Sequence, residues 1–280
     1  LREGNHDFTV GQEDKRRELA LPDLAGRASE LLLIEKLFEE NPLLVVEGES
    51  GSGKSRLLEE AAERARALNW KIVHFHGEPH RQTAWEQFLK LFSKLDPSRG
   101  SRILQAVESG GFEPERLRET QAEILIEEGL AGLPALLGGP TLVLFDDGQW
   151  INPILLKAGR HAAKVGDLAV FQVGWVGTLP SPQSSLGRLG NDDVKALLQS
   201  MGGPLPGRYL RHIVESSSGL PFLAVEGLRG LQETSDQFRF QSSELAGDLL
   251  TRRLNLLSEE EESILALAAM TGRTPDPVLL

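Results

Sequence analysis

The stretch LLVVEGESGSGKSRLLEEAAERARAL, residues 43 to 68, decides the architecture. Its opening LLVV (43 to 46) is a short apolar run between Pro42 and a glycine-rich segment, the pattern of a strand buried in a parallel sheet. Its second half places apolar residues at Leu57, Ala61, Ala65 and Leu68, one stripe of a helix, and sets Glu60 one turn ahead of Arg64 on the wet face. Between the two lies GESGSGKS, Gly48 to Ser55, which has the spacing G-x-x-x-x-G-K-[ST]. Glycines let a backbone curl until successive N–H groups point at phosphate oxygens, and the N-terminus of the following helix adds partial positive charge. On this reading Gly48, Glu49, Ser50, Gly51, Ser52 and Gly53 form a cradle, Lys54 reaches the β- and γ-phosphates, and the Ser55 hydroxyl ligates Mg²⁺. A flexible Gly/Ser turn ahead of a helix is the plainer alternative. A strand directly before the motif and a helix directly after it favour the phosphate loop.

Outward from this segment, KIVHFH (71 to 76), TLVLF (141 to 145) and LAVFQVGWV (168 to 176) read as further strands. Helical spacing recurs over 30 to 39, 83 to 94, 101 to 109, 115 to 137 and 153 to 164. Strands alternating with helices predict an α/β fold, a nucleotide-binding core built on a mostly parallel, helix-covered sheet. After Pro180 no strong strand follows, and helical segments over 191 to 201, 206 to 216 and 221 to 232 predict a helical lid. Two more helices, 243 to 256 and 259 to 270, follow a polar stretch containing FRF (238 to 240). The expected organisation is a polar tail or linker over 1–20, a core over 21–185, a lid over 186–236 and a further partial segment over 237–280.

The strand TLVLF runs into Asp146 and Asp147. Mg²⁺ keeps several waters and takes few protein ligands, so a phosphate-loop site needs a carboxylate at the end of a neighbouring strand. Asp146 is the expected Mg²⁺ partner, and Asp147 the candidate for orienting or deprotonating the attacking water, which makes Lys54 and Asp147 the catalytic pair. Alone, Asp146-Asp147-Gly148 reads more simply as a turn after a strand. The phosphate loop about ninety residues earlier gives it the functional reading.

Composition narrows the partners. Forty-one acidic against thirty basic residues give a formal charge of −11, a field that repels polyanions, so nucleic-acid binding by this segment is disfavoured. No apolar run is long enough to predict a membrane span, and the first residues carry no secretory signal. The absence of cysteine excludes disulfides and thiolate metal sites and fits a reducing compartment; cytoplasm is the expectation. The chain starts on Leu and stops within a helical pattern, which suggests a piece of a longer polypeptide whose other domains would be its partners.

His74, His76 and His80 with Glu78 imitate a zinc site, since alternate strand positions share a face, but a sheet-edge or pocket-mouth role is the simpler reading. The run SEEEES (258 to 263) is what a helix N-terminus favours, and Arg252-Arg253 is too short to argue for DNA.

Four segments, LAGRASEL (24 to 31), GESGSGKS (48 to 55), VLFDDGQW (143 to 150) and SSSGLPFLAVEGL (216 to 228), occur in an order that resembles the STAND-type signalling ATPases, in particular their bacterial AAA-like branch. The resemblance implies that Arg27 lies near the phosphates, with Ala28 replacing a usual Glu. It also implies that Pro221, in a Gly-x-Pro turn with Gly219, packs on the nucleotide from the lid, where the residues alone read equally as a helix stop followed by Pro in a first helical turn, and that 237–280 begins a winged-helix domain. Two departures stand out. Leu179 and Pro180 occupy the neighbourhood of a usual γ-phosphate-sensing Arg, and Gly148 replaces a usual hydrophobic residue, which is expected to loosen the end of its strand. The resemblance thus implies an ATP/ADP-binding switch with slow Mg²⁺-dependent hydrolysis and a nucleotide-dependent homo-oligomer. An origin-recognition-like or clamp-loader-type AAA ATPase engaging DNA is the alternative, and a small-molecule kinase the third.

Overall fold

Among the described residues six strands form one sheet in which every pairing is parallel: β1 (Phe8–Thr9), β2 (Leu43–Gly48), β3 (Lys71–His76), β4 (Thr141–Asp146), β5 (Leu168–Gly174) and β6 (Ser184–Leu186), in the order β1-β3-β4-β5-β2-β6. The computed structural model describes residues 8–9, 24–79, 83–109, 121–164, 167–202, 205–233 and 266. The expected winged-helix segment over 237–280 therefore lies, Ala266 apart, outside the described residues, as do FRF, SEEEES and His80.

Helices cover both faces, and the period of two along each strand decides which side chain goes where. On one face Leu44, Val46, Ile72, Leu142, Leu144, Ala169, Phe171 and Val173 pack against α1 (Ala28–Glu39) and α2 (Lys54–Ala67). On the other, Val45, Val73, Phe75, Val143, Phe145 and Val170 meet α3 (Thr83–Leu95), α4 (Pro97–Ser109), α5 (Gln121–Ala131), α6 (Leu133–Leu137) and α7 (Pro153–Ala162). Phe75 stacks on Phe145 at 5.3 Å between ring centroids, and Phe88 of α3 lies 4.7 Å from Phe92. Each fully buried aromatic of this kind contributes about 1.5–3 kcal/mol by leaving water.

Several sequence expectations are refined. The carboxylate strand β4 does not adjoin the phosphate-loop strand β2, because β5 lies between them. Nothing local in either strand encodes that order. The predicted α2 stripe holds at Leu57, Ala61 and Ala65, but α2 ends at Ala67 and Leu68 is 54% exposed, while Leu58 is buried. The Glu60–Arg64 pair forms at 3.1 Å. The helical pattern over 115 to 137 divides at Gly132 into α5 and α6, with Pro134 in the first turn of α6.

Two strand segments escaped the pattern. Phe8–Thr9, inside the expected tail, pairs with Val73 and His74. After Pro180, Ser184–Leu186 pairs with Val46–Gly48; its two serines leave no apolar alternation to read, and only Leu186 is buried. Gln183 sets its register, because its backbone N–H donates to Val45 O (2.8 Å) while its side chain accepts from Val45 N (2.6 Å) and donates to Leu43 O (3.1 Å).

The chain separates into two compact units, Leu1–Arg188 and Leu189–Leu280. Among the described residues the second contains α8 (Asn191–Gly202), α9 (Gly207–Ser217) and α10 (Pro221–Glu233), which pack on one another. Gly227 lets α10 approach α9, since a Cβ there would lie 3.3 Å from Ile213. The turn between α9 and α10 uses left-handed conformations at Ser218 and Gly219 (φ 49° and 79°), and Pro221 opens α10. No helix among the described residues is long and apolar enough to cross a membrane.

Candidate functional site

The phosphate-loop residues gather where β2 ends and α2 begins, at the C-terminal edge of the sheet, where open α/β sheets bind ligands. Gly51 and Gly53 hold φ of 78° and 99°, a left-handed region that side chains disfavour. Gly53 is the N-cap of α2 and brings no side-chain acceptor, so the first N–H groups of α2 are left for an outside anion. Gly48 is needed for close approach: a Cβ there would lie 2.6 Å from Ser52 Oγ and 3.0 Å from Leu186 Cβ. Ser52 Oγ itself is buried without a hydrogen-bond partner.

Lys54 Nζ donates to Gly48 O (3.0 Å) and Glu49 O (2.9 Å), folded onto the loop it follows. Burial pushes its ammonium below the ordinary lysine value, against the opposing attraction of Asp147 and Asp146. Arg27, also buried, donates from Nη2 to Ser52 O (3.0 Å) and to Gly187 O (2.8 Å), and so ties the loop to the end of β6.

Asp146 ends β4 on the face of the sheet that α2 covers. The residue is 6% exposed, and its carboxylate Oδ1 accepts from Ser55 Oγ (3.3 Å) and from the Asp147 N–H (2.9 Å). Its Oδ2 lies 3.9 Å from His76 Nδ1. Strand register explains the neighbour: His76 and Asp146 are paired across β3 and β4. Among the described residues His76 groups with Asp146 and Asp147, whose possible ligand atoms lie within 4.8 Å of one another, while His80 of the imitated zinc set lies outside the described residues. Burial lowers the pKa of His74.

Asp147 stands in a left-handed conformation (φ 51°, ψ 48°) and starts a single 3₁₀ turn, Gly148–Trp150. Gln149 Nε2 donates to Asp147 Oδ1 (2.8 Å), and Gln149 Oε1 accepts from the Trp175 N–H (3.1 Å). Trp150 meets Trp175 edge to face at 5.3 Å. The expectation that Gly148 loosens the strand end is reversed. Gly148 is buried, and a Cβ there would lie 2.9 Å from Val173 O and 3.0 Å from Leu179 Cδ2. Leu179, the other departure from the family pattern, occupies the space a side chain at 148 would need, so both departures belong to one packing arrangement.

The structure therefore brings Gly48 to Ser55, Arg27, Asp146 and Asp147 together within the first unit. Pro221 belongs to the second unit, at the start of α10. Sequence reasoning missed Gln149, adjacent to the acidic pair but silent without Trp175. It also missed Glu47, whose Oε2 accepts from the Gly177 N–H (2.8 Å), and buried Glu30, whose Oε1 accepts from Ser184 Oγ (2.9 Å).

A parallel sheet whose first long strand feeds a glycine cradle and an uncapped helix, with a serine hydroxyl facing a buried aspartate, defines a P-loop nucleotide-binding fold. The profile of the AAA ATPase domain matches residues 23–168, just over half of the chain. The chain belongs to the AAA ATPase domain family and is a nucleotide-binding ATPase module. No curated protein shows a significant match. Among solved structures the chain is similar to a Signal Transduction ATPase with Numerous Domains (STAND) protein with a tetratricopeptide repeat sensor from Pyrococcus horikoshii, at 14% identity and a TM-score of 0.51, over 86% of this chain and 34% of that one. It is also similar to a Walker-type ATPase of Pyrococcus abyssi, at 18% identity and a TM-score of 0.51, over 91% of this chain and 78% of that one. The chain thus spans about a third of the length of the STAND protein.

Proposed function

We propose that this chain is an ATP/ADP-binding conformational switch module of a multidomain signalling or regulatory ATPase, with slow Mg²⁺-dependent hydrolysis. The observation that carries the reading is the convergence of Lys54, Ser55 and Asp146: Ser55 Oγ sits 3.3 Å from Asp146 Oδ1 beside an uncapped helix N-terminus and a buried lysine. Backbone amides of Gly48 to Gly53 receive phosphate oxygens, and Lys54 exchanges the carbonyls of Gly48 and Glu49 for the β- and γ-phosphates. Ser55 and Asp146 hold the divalent ion, which when bound neutralises charge on the phosphates. Asp147 orients the attacking water. Arg27 contacts the nucleotide within the first unit.

Support for slow turnover comes from residues 175–183, between β5 and β6, which contain no Lys or Arg to stabilise charge on the transferred phosphoryl group. Support for a switch comes from the likeness to the STAND protein, whose sensor is a tetratricopeptide repeat, and from a second helical unit after the core. Switching requires the two nucleotides to differ in affinity for the two states, since equal binding shifts nothing. The acidic net charge weighs against DNA as a partner.

The test compares small-angle scattering and sedimentation of the protein with ADP and with ATP, alongside calorimetric nucleotide titrations of wild type, Lys54→Ala and Asp147→Asn. The expected outcome is a nucleotide-dependent change of shape or association, loss of most triphosphate affinity in Lys54→Ala, and retained binding with reduced turnover in Asp147→Asn. Superimposable ADP and ATP profiles refute the switch.

A further inference from the structure

We infer that Gln149 is the positioning residue for Asp147: it holds that carboxylate in one orientation at the phosphate site and fastens it to the turn after β5. The inference rests on the reading of Asp147 as the residue that orients the attacking water.

The geometry uses both ends of the Gln149 amide. Its oxygen accepts from the Trp175 N–H at 3.1 Å, which leaves the NH₂ group to face Asp147, where it donates to Oδ1 at 2.8 Å. An amide engaged on both sides has one orientation, because a flip sets donor against donor at Trp175. Among the described residues this is the hydrogen bond that the Asp147 carboxylate receives from a side chain. It occupies Oδ1 and leaves Oδ2 to accept from a water. A hydrogen bond to an ionised carboxylate is also stronger than one between neutral groups, so it constrains as well as contacts.

The anchor is itself fixed. Trp175 O accepts from the Thr178 N–H (3.1 Å) and from Thr178 Oγ1 (2.7 Å), which closes the turn that follows β5. Two residues after Trp175, the Gly177 N–H donates to Glu47 Oε2 at 2.8 Å, and Glu47 directly precedes the phosphate loop on β2. Asp147, Gln149, the Trp175–Thr178 turn and Glu47 thus form a chain of hydrogen bonds that joins the ends of β4, β5 and β2. Asp147 needs such a hold because its left-handed backbone places the side chain without help from a strand or helix ladder.

A residue that only staples the 3₁₀ turn to β5 would matter whatever stands at position 147, whereas a positioning residue acts through Asp147. A double-mutant cycle separates the two. The proteins are wild type, Gln149→Met, Asp147→Asn and the double variant; methionine keeps the length and removes both hydrogen bonds. For each, the affinity for ADP and for ADP with aluminium fluoride and Mg²⁺, a transition-state analogue, is measured by calorimetry, with single-turnover ATP hydrolysis alongside.

Gln149→Met is expected to bind ADP within about twofold of wild type, which also reports an intact fold. Its affinity for the analogue and its turnover are expected to fall by about tenfold or more, the loss of one hydrogen bond to a charged group. In the Asp147→Asn background the same substitution is expected to cost nothing further. An unchanged analogue affinity in Gln149→Met overturns the inference, as does an equal loss in both backgrounds. A wild-type protein that binds no ADP overturns the nucleotide reading itself, and a protein that binds ADP but ignores Gln149→Met overturns this inference alone.

Discussion

Gly148→Ala adds one methyl group at the most crowded point beside the acidic pair. Its Cβ would lie 2.9 Å from Val173 O and 3.0 Å from Leu179 Cδ2. A carbon and a carbonyl oxygen ordinarily stay about 3.3–3.6 Å apart even in their closest favourable contacts, so the turn after Asp147 must withdraw from β5 by about half an ångström. Leu179 can rotate away, but the Val173 carbonyl belongs to the β5 backbone and cannot. Overpacking of this kind costs about 1–3 kcal/mol. For a domain of this size that lowers the melting temperature by about 2–4 °C per kcal/mol, so a fall of about 4–8 °C is expected for a mid-range cost. Leu179→Ala, which empties a buried site, is expected to cost about 2–5 kcal/mol by itself. The double variant should lose less than the sum by about 0.5–1.5 kcal/mol, because the smaller residue at 179 removes one of the two clashes. Thermal unfolding and urea titration of the four proteins, without nucleotide, measure this directly. A Gly148→Ala protein that melts with wild type, or a strictly additive double variant, would refute the claim that Leu179 fills the place of a side chain at 148.

Two further expectations concern the loop. Arg27→Met removes a buried guanidinium that holds Ser52 O and Gly187 O, at a cost of about 1.5–3 kcal/mol for hydrogen bonds to a charged group; a lowered urea midpoint together with weaker ADP affinity is expected, and an unchanged midpoint contradicts it. Burial holds the Lys54 pKa below 10.5, so between its lowered value and 10.5 the unfolded chain binds this proton more tightly than the folded protein. Wild-type stability should therefore rise relative to Lys54→Met as the pH climbs through that alkaline window, measured by urea titration without nucleotide; a difference that stays flat or falls there contradicts the assignment.

The elements nearest the phosphate loop were legible because their signals are local. A buried strand, a run of glycines at fixed spacing and a helix stripe follow one another within residues 43 to 68, and each can be read from its neighbours in the chain. The same holds for the three helices of the second unit. Where a strand is short and polar the signal fails: Ser184–Leu186 carries no alternation, and its place is set by Gln183 bonding to Leu43 and Val45 about 140 residues away. Gln149 illustrates the same limit inside the site. It sits two residues from Asp147, yet its role depends on an amide 26 residues further on, which no periodicity announces.

The sequence by itself determined the glycine loop from Gly48 to Gly53 between a strand and a helix, because that order is a property of contiguous backbone. Only the tertiary structure decided what surrounds that loop. The strand order inserts β5 between the loop and the carboxylates, the register sets His76 beside Asp146, and Leu179 fills the space left by Gly148. These contacts join residues far apart in the chain, so they follow from how the sheet closes and its side chains pack, and not from any local preference.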